Sequence, residues 1–507
     1  MKEIEKVNYL KEINFGDIDA NSDPNLENYF IDNHYWKRII EDPIYYIVGK
    51  KGTGKSAIYQ FLSQESSKYG ACFSNRDFGD FPFEKIMGLS DDGFSKPNQY
   101  QSIWLHLILD IFIDLVIRNE KSDTYNVYYQ ELQKYHKTCI GDTVNLHKDS
   151  LSRVRKNGGE LELSGYGLSA SLGSEYSSTQ IIGSEDKNIS RINSQLWSQL
   201  EQYLITRIED TPFIIQFDRL DDTYNQYSEL ESYYQLIISL LKVVYRINNN
   251  LRIKRIDNVK VIVYIRSDII KEISKRDSES ARWNDFMYQI NWAIINQNDW
   301  TNAPLMKLVN KRIESSLKKR ITFSDLFDKD SIDLRNYDSA TGRIGTKQDV
   351  FKYIVEKTFH RPRDVIQFCK CIQKEIRDTD DCSCITYRNI KNAEKVYAYW
   401  FLHSEIYNEV NPIIKNIEDI FDLLKSMGSR PFSFSSFKKK YDNSIKYNFS
   451  MNAEKMVEYL YEIGILLNVN KNRNGLFQYK SIIRNQGKVD KNMKLMIHSG
   501  VWVGLNT

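Results

Sequence analysis

The sequence predicts an α/β chain with three parts: a parallel-sheet core that takes its ligand at the strand carboxyl ends, a helical lid, and a C-terminal winged-helix domain. Three observations carry this. A glycine-rich loop, Gly49-Lys50-Lys51-Gly52-Thr53-Gly54-Lys55-Ser56, stands between an apolar run and a helix-forming run. Two more apolar runs, Pro212 to Phe217 and Val259 to Ile265, end in charged residues and are separated by helical patterns, as strand-helix-strand units are. The C-terminal stretch reads as three helices followed by two strands.

Ile44 to Val48 has the composition of a buried strand and Ala57 to Leu62 that of a helix start. A polyphosphate is held by backbone N–H groups that converge without intervening side chains, and glycine permits that approach. The loop therefore predicts a site for ATP and Mg²⁺. Gly49 and Gly54 bracket the turn, and Lys51, Gly52, Thr53 and Ala57 add backbone amides. Lys55 reaches the β- and γ-phosphates, and the Ser56 hydroxyl takes one position on Mg²⁺.

Hydrolysis needs a second strand that delivers a carboxylate to the metal's shell. Asp218, after Pro212 to Phe217, is that candidate, and Asp221 or Asp222 would hold the attacking water. The position directly after Asp218 is Arg219, where many ATPases place a catalytic glutamate. The Val259 to Ile265 run ends in Arg266, a candidate for neutralising the γ-phosphate, with Asp268 as its alternative salt-bridge partner. Further on, Arg361-Pro362-Arg363-Asp364 opens an amphipathic helix, Val365 to Ile376, and places two cations at a domain hinge, where one could reach nucleotide phosphate or both could form salt bridges within a helical bundle.

Together, GKKGTGKS, IIQFDRLDD, VIVYIRSD, RPRD and the winged-helix-like tail resemble bacterial P-loop ATPases of the AAA+ and STAND superfamily, in particular compact forms related to origin-recognition ATPases. The resemblance implies a P-loop NTPase core in which the glycine loop binds ATP, Asp218 handles magnesium, Arg266 acts as a sensor and Arg363 contacts phosphate from the lid. It also implies a switch of assembly state driven by ATP, and a setting among mobile or phage-defence loci.

Composition bounds the remainder. A chain of 507 residues with 41% hydrophobic content predicts two or three domains with substantial cores. The N-terminus has acidic residues and no apolar signal region, and the most apolar stretch, Ile103 to Ile117, carries His106, Asp110 and Asp114. It reads as a buried helix, so the expectation is a cytoplasmic protein with no membrane partner. Cys369-x-Cys371 and Cys382-x-Cys384 invite a zinc reading. Cys369 and Cys371 fall in a predicted helix, where residues two apart point in divergent directions and cannot share an ion.

The expected organisation is a lead-in at 1–43 lying near the nucleotide base, the ATPase core at 44–320, the lid at 321–410 and the winged helix at 411–507. A short strand follows the loop helix near Ala71 to Ser74, residues 156–182 suggest an inserted β-hairpin, and 328–348 suggests a connecting loop. In the tail, helices at Ile417 to Met427, Phe434 to Tyr441 and Ala453 to Ile463 precede strands at Ile465 to Val469 and Leu476 to Ile482.

Residues 417–507 hold 14 Lys+Arg against 8 Asp+Glu on a chain of net charge +3. That basic domain would suit duplex DNA through Lys438, Lys439, Lys440, Lys471 and Arg473. The third helix, however, carries Glu454, Glu458 and Glu462, which would meet phosphate at close range, so a protein-interaction module is the competing reading. Three functions follow: an ATP-driven switch working as a homo-oligomer or in a hetero-complex with an effector protein, an ATP-dependent duplex DNA clamp or loader, and a scaffold with a structural nucleotide. A small-molecule kinase leaves the tail without a role.

Overall fold

The computed structural model describes residues 1–77, 99–120, 125–140, 185–220, 230–292, 300, 302–327, 337–338, 343–344, 349–411, 413–414, 417–443, 451–471, 477–484 and 487–507. The hairpin expected at 156–182 lies outside the described residues, as do Asp221, Asp222, most of the loop expected at 328–348 and residues 472–475 of the wing turn. The described chain forms two compact units. One comprises Asp32–Lys51 and Lys55–Ile290, the other Met1–Ile31, Gly52–Gly54 and Asn291–Thr507.

The first unit is built on a five-stranded, all-parallel sheet: β1 (Tyr46–Gly49), β2 (Cys72–Asp77), β3 (Phe213–Asp218), β4 (Val259–Arg266) and β5 (Met287–Gln289), in the order β2-β3-β4-β1-β5. Every residue of β1, β3 and β4 is buried, which is why these strands read as near-continuous apolar runs. The connections from β1 and β4 leave toward opposite edges of the sheet, and at such a point the strand carboxyl ends open onto a crevice.

Helices cover both faces. The helix Lys55–Gln64 lies on one, where Tyr59 meets Tyr264 edge-on at 5.6 Å and its carbonyl accepts a 3.2 Å hydrogen bond from Gln216. On the other lies Gln99–Asn119, whose Trp104 indole donates to the carbonyl of Leu236 at 3.0 Å. That helix is longer than its apolar stretch suggested. It is the one described helix long and apolar enough to cross a membrane, and most of it is buried within the unit. Its polar residues are satisfied there. His106 bonds Asn193 at 2.9 Å, Asp110 accepts from Tyr135 at 2.8 Å, and Asp114 accepts from Arg118 and His136 at 2.6 and 2.9 Å. Burial alone would raise the Asp114 carboxyl, but those two donors hold it below the ordinary range.

The second unit is mostly helical. Its core joins helices Pro304–Leu317, Pro362–Asp378 and Tyr387–Trp400 to the C-terminal segments. The lead-in expected as one piece divides, because Glu3–Glu12 buries Val7 and Leu10 in this core and Gln373 donates to the carbonyls of Leu10 and Ile13. Residues 32–43 stay with the sheet. The boundary expected near 320 falls at Ile290/Asn291, and lid and tail share one core.

The tail runs Ile417–Met427, Phe434–Asn443, Ala453–Ile463, then β6 (Leu466–Lys471), β7 (Phe477–Lys480) and β8 (Lys494–Ile497) in the antiparallel order β8-β6-β7. Phe432 bridges to Leu495 beyond β8. The three helices and two strands expected are present, whereas β8 and the closing helix Ser499–Gly504 carry no early signal.

Candidate nucleotide site

The glycine loop leaves β1 and enters the helix Lys55–Gln64, the strand-to-helix setting a phosphate loop requires. Gly52 and Gly54 have φ of +75° and +93°, a left-handed backbone that glycine adopts without strain. The Lys55 ammonium folds over the loop, donating to the carbonyls of Gly49 and Lys50, each at 3.3 Å. It also lies in the electrostatic field of Asp268.

Each of four neighbouring strands ends in a residue of the site: Asp77 on β2, Asp218 on β3, Arg266 on β4 and Gly49 on β1. Side-chain alternation puts them on one face. Gln216, two before Asp218, bonds Tyr59 of the loop helix and, at 3.0 Å, Asn75, two before Asp77. Tyr264, two before Arg266, packs on Tyr59 and donates to Gln216 at 2.5 Å. The loop helix covers this face, and Ser56 lies one turn before Tyr59 on the same side of it. Burial, and after it the charge of Asp218, raises the hydroxyl pKa of both Tyr59 and Tyr264.

Asp218 is 3% exposed. One strand, β4, separates it from the loop strand, a backbone offset of about 10 Å. That gap suits a hydrated Mg²⁺ between a carboxylate and a loop-held phosphate, and the donors, a carboxylate and the Ser56 hydroxyl, are the hard oxygens Mg²⁺ prefers. Arg266 is buried and is the register partner of Gly49. Its guanidinium binds Asp268, the partner weighed for it from sequence. Desolvation against the protein would raise the Asp268 carboxyl, but the Arg266 guanidinium outweighs it and holds that carboxyl below its ordinary range.

In the other unit, Arg363 donates from its backbone N–H to the carbonyl of Gly52 at 3.4 Å, and a Cβ on Gly52 would stand 3.1 Å from that of Arg363. Trp292 donates to the carbonyl of Thr53 at 2.9 Å. The Arg363 side chain contacts Glu405 at 3.3 Å, while buried Arg361 is fixed by Asp364 at 2.9 Å and Glu409 at 3.0 Å. Burying Arg361 is tolerable only because both partners are present. Cys369 and Cys371 sit in the helix Pro362–Asp378, their thiols pushed up by burial to about 12 and about 11.

Two comparisons bear on this arrangement. Residues 303–404 match the FunZ-associated C-terminal helical domain. Over 521 aligned residues the chain is 23% identical to a protein of Escherichia coli (strain K12) that carries the provisional name transposon gamma-delta 80.3 kDa protein. The alignment takes in 97% of this chain and 67% of that protein. The matched helical segment begins with the helix Pro304–Leu317 and includes Arg361 and Arg363.

Asp77 was missed by sequence reasoning. The end of β2, Asn75-Arg76-Asp77, is polar because the strand lies at the sheet edge, so the apolar signal fades before the strand stops. The available clue was Arg219, which leaves the position after Asp218 without a carboxylate.

Proposed function

We propose that this chain is an ATP- and Mg²⁺-binding P-loop ATPase of the AAA+/STAND kind, a switch that couples nucleotide state to its assembly or to a partner. The convergence of Gly49, Arg266, Asp218 and Asp77 at four adjacent strand ends, under the helix that begins at Lys55, carries this reading. In it, Gly49 to Gly54 and Lys55 hold the phosphates, Ser56 and Asp218 hold the metal, and Arg266 meets the charge that develops on the γ-phosphate. The metal supplies charge neutralisation when bound. The tail serves as a winged-helix interaction module, a role suited to its three helices and antiparallel strands. The transposon name of the E. coli relative favours a mobile-element setting.

The test is nucleotide affinity in Lys55→Ala, with phosphate release measured across protein concentrations. The expected outcome is loss of ATP·Mg²⁺ binding in the variant and turnover that rises with wild-type concentration. Undiminished affinity in Lys55→Ala would sink the reading. Duplex DNA clamping is less favoured, because Lys438 pairs with Glu454 at 2.6 Å and Lys440 donates to the carbonyl of Ser426 at 2.5 Å.

A further inference from the structure

We propose that Asp77 is the carboxylate that orients the attacking water and accepts its proton, and that Arg219 positions it. The inference rests on the ATPase reading above. Asp77 closes β2 as Asp218 closes β3, and the two are register partners on the face covered by the loop helix. Adjacent strands set their backbones about 4.8 Å apart, so two carboxylates stand side by side in different surroundings. Asp218 is buried, which suits a metal ligand, whereas the Asp77 side chain is 46% exposed, which suits a group that must meet water.

Arg219 supplies the second observation. It stands where a water-holding acid would follow Asp218, yet its backbone turns into the left-handed region at φ +60° and Nη1 donates to Asp77 Oδ2 at 2.9 Å. A long side chain in that conformation is strained and persists where surrounding contacts hold it. The turn carries the guanidinium from the end of β3 back to the end of β2, so the residue that displaces the usual acid also fixes the orientation of its substitute. Gln216 bonds both Asn75 and Tyr59 of the loop helix, and the register pairs Asn75 with Gln216 and Asp77 with Asp218, so alternation puts both carboxylates on the helix side.

The step balances without a further reactant. Water oxygen bonds to the γ-phosphorus as the bond from that phosphorus to the β–γ bridging oxygen breaks. The electron pair stays with the oxygen of ADP, near Lys55, and the water proton passes to Asp77 and then to solvent. The products are ADP, inorganic phosphate and one proton.

The experiment uses the full-length chain with ATP·Mg²⁺ and compares Asp77→Asn, Asp77→Glu, Asp221→Asn, Asp222→Asn, Arg219→Ala and Arg219→Lys. Phosphate release gives kcat, a fluorescent ATP analogue gives affinity, and the ATP-induced rise in Tm verifies that each variant folds and binds. Asp77→Asn is expected to lower kcat by about 100-fold or more with affinity within about twofold. Arg219→Ala lowers kcat with KM unchanged, and Arg219→Lys restores part of it. Should Asp77→Asn not fold, Asp77→Glu carries the test, with reduced kcat at unchanged affinity expected and wild-type kcat against the proposal. Wild-type turnover in Asp77→Asn beside loss in Asp221→Asn or Asp222→Asn overturns the assignment. ATP binding that depends on Lys55 without any phosphate release overturns it too, while leaving the nucleotide site standing. Binding indifferent to Lys55 removes the ATPase reading itself.

Discussion

Arg266 grips Asp268 through two parallel hydrogen bonds, Nε to Oδ1 at 3.0 Å and Nη2 to Oδ2 at 2.6 Å. The geometry is the fork that guanidinium makes with carboxylate or phosphate. The pair sits at the carboxyl end of β4 with the Asp268 side chain 46% exposed, so solvent screens much of its attraction. Asp268→Asn is expected to cost roughly 1 kcal/mol in urea unfolding without nucleotide. Saturating ATP·Mg²⁺ should erase that loss, because phosphate then takes the guanidinium. A deficit that survives ATP means Arg266 stays clear of the nucleotide.

Gly52 is a loop position with little room for a side chain. Its φ is +75°, and an added Cβ would press on Cβ of Arg363 at 3.1 Å. Gly52→Ala is expected to cost about 1–2 kcal/mol in backbone strain and to weaken ATP binding by a larger factor than that strain explains. Calorimetric affinity set beside the thermal unfolding of the same variant checks this. Equal losses in both would assign the glycine to folding alone.

Lys260 is buried beneath the helix Trp36–Glu41 and donates to the carbonyls of Ile39, Ile40 and Asp42 at 3.0, 2.5 and 2.6 Å. Burial pushes its pKa from the ordinary 10.5 down to about 7. Between those values the unfolded chain keeps a proton that the folded chain releases. Stability from this group therefore rises with pH, by up to about 1.4 kcal/mol per unit across the window. Below pH 7 the cost is fully present. Urea midpoints at pH 7, 8 and 9 should climb in the wild type relative to Lys260→Met, and parallel curves would show that the lysine does not titrate there.

In the tail, Lys438 and Lys491 bridge to Glu454 and Glu458, both at 2.6 Å, so the acidic helix Ala453–Ile463 is partly neutralised by its own domain. Lysines so engaged contribute little to a phosphate footprint. Alanine at Lys438, Lys439 and Lys440 together is expected to reduce the salt slope of duplex DNA binding by less than one contact's worth. A reduction near three contacts, about 2.7 in log–log slope, would restore the DNA clamp reading.

The carboxyl edge of the sheet was legible because buried parallel strands leave long apolar runs, and β3 and β4 end on the charged residues that mark the sheet's rim. β5, only Met287–Gln289, was too short to register, and the polar end of β2 concealed Asp77. Unit membership was not legible either. The helical period of Pro304–Leu317 reveals an apolar face but not which core it enters, and Glu3–Glu12 joins residues more than three hundred positions away, such as Gln373. Arg219 posed its question in the sequence, yet the answer depended on a backbone turn that no local pattern encodes.

The helix Gln99–Asn119 has a consequence for how the protein is made. Trp104 finds its acceptor, Leu236, 132 residues later in the chain. At ribosomal speeds of roughly 5–20 residues per second, the interval between the two is on the order of ten seconds or more. Throughout it, one of the greasiest segments of the polypeptide waits for the surface that will hide it. Nascent chains would thus depend on holding chaperones at this stage, and soluble yield should fall steeply when translation outpaces them.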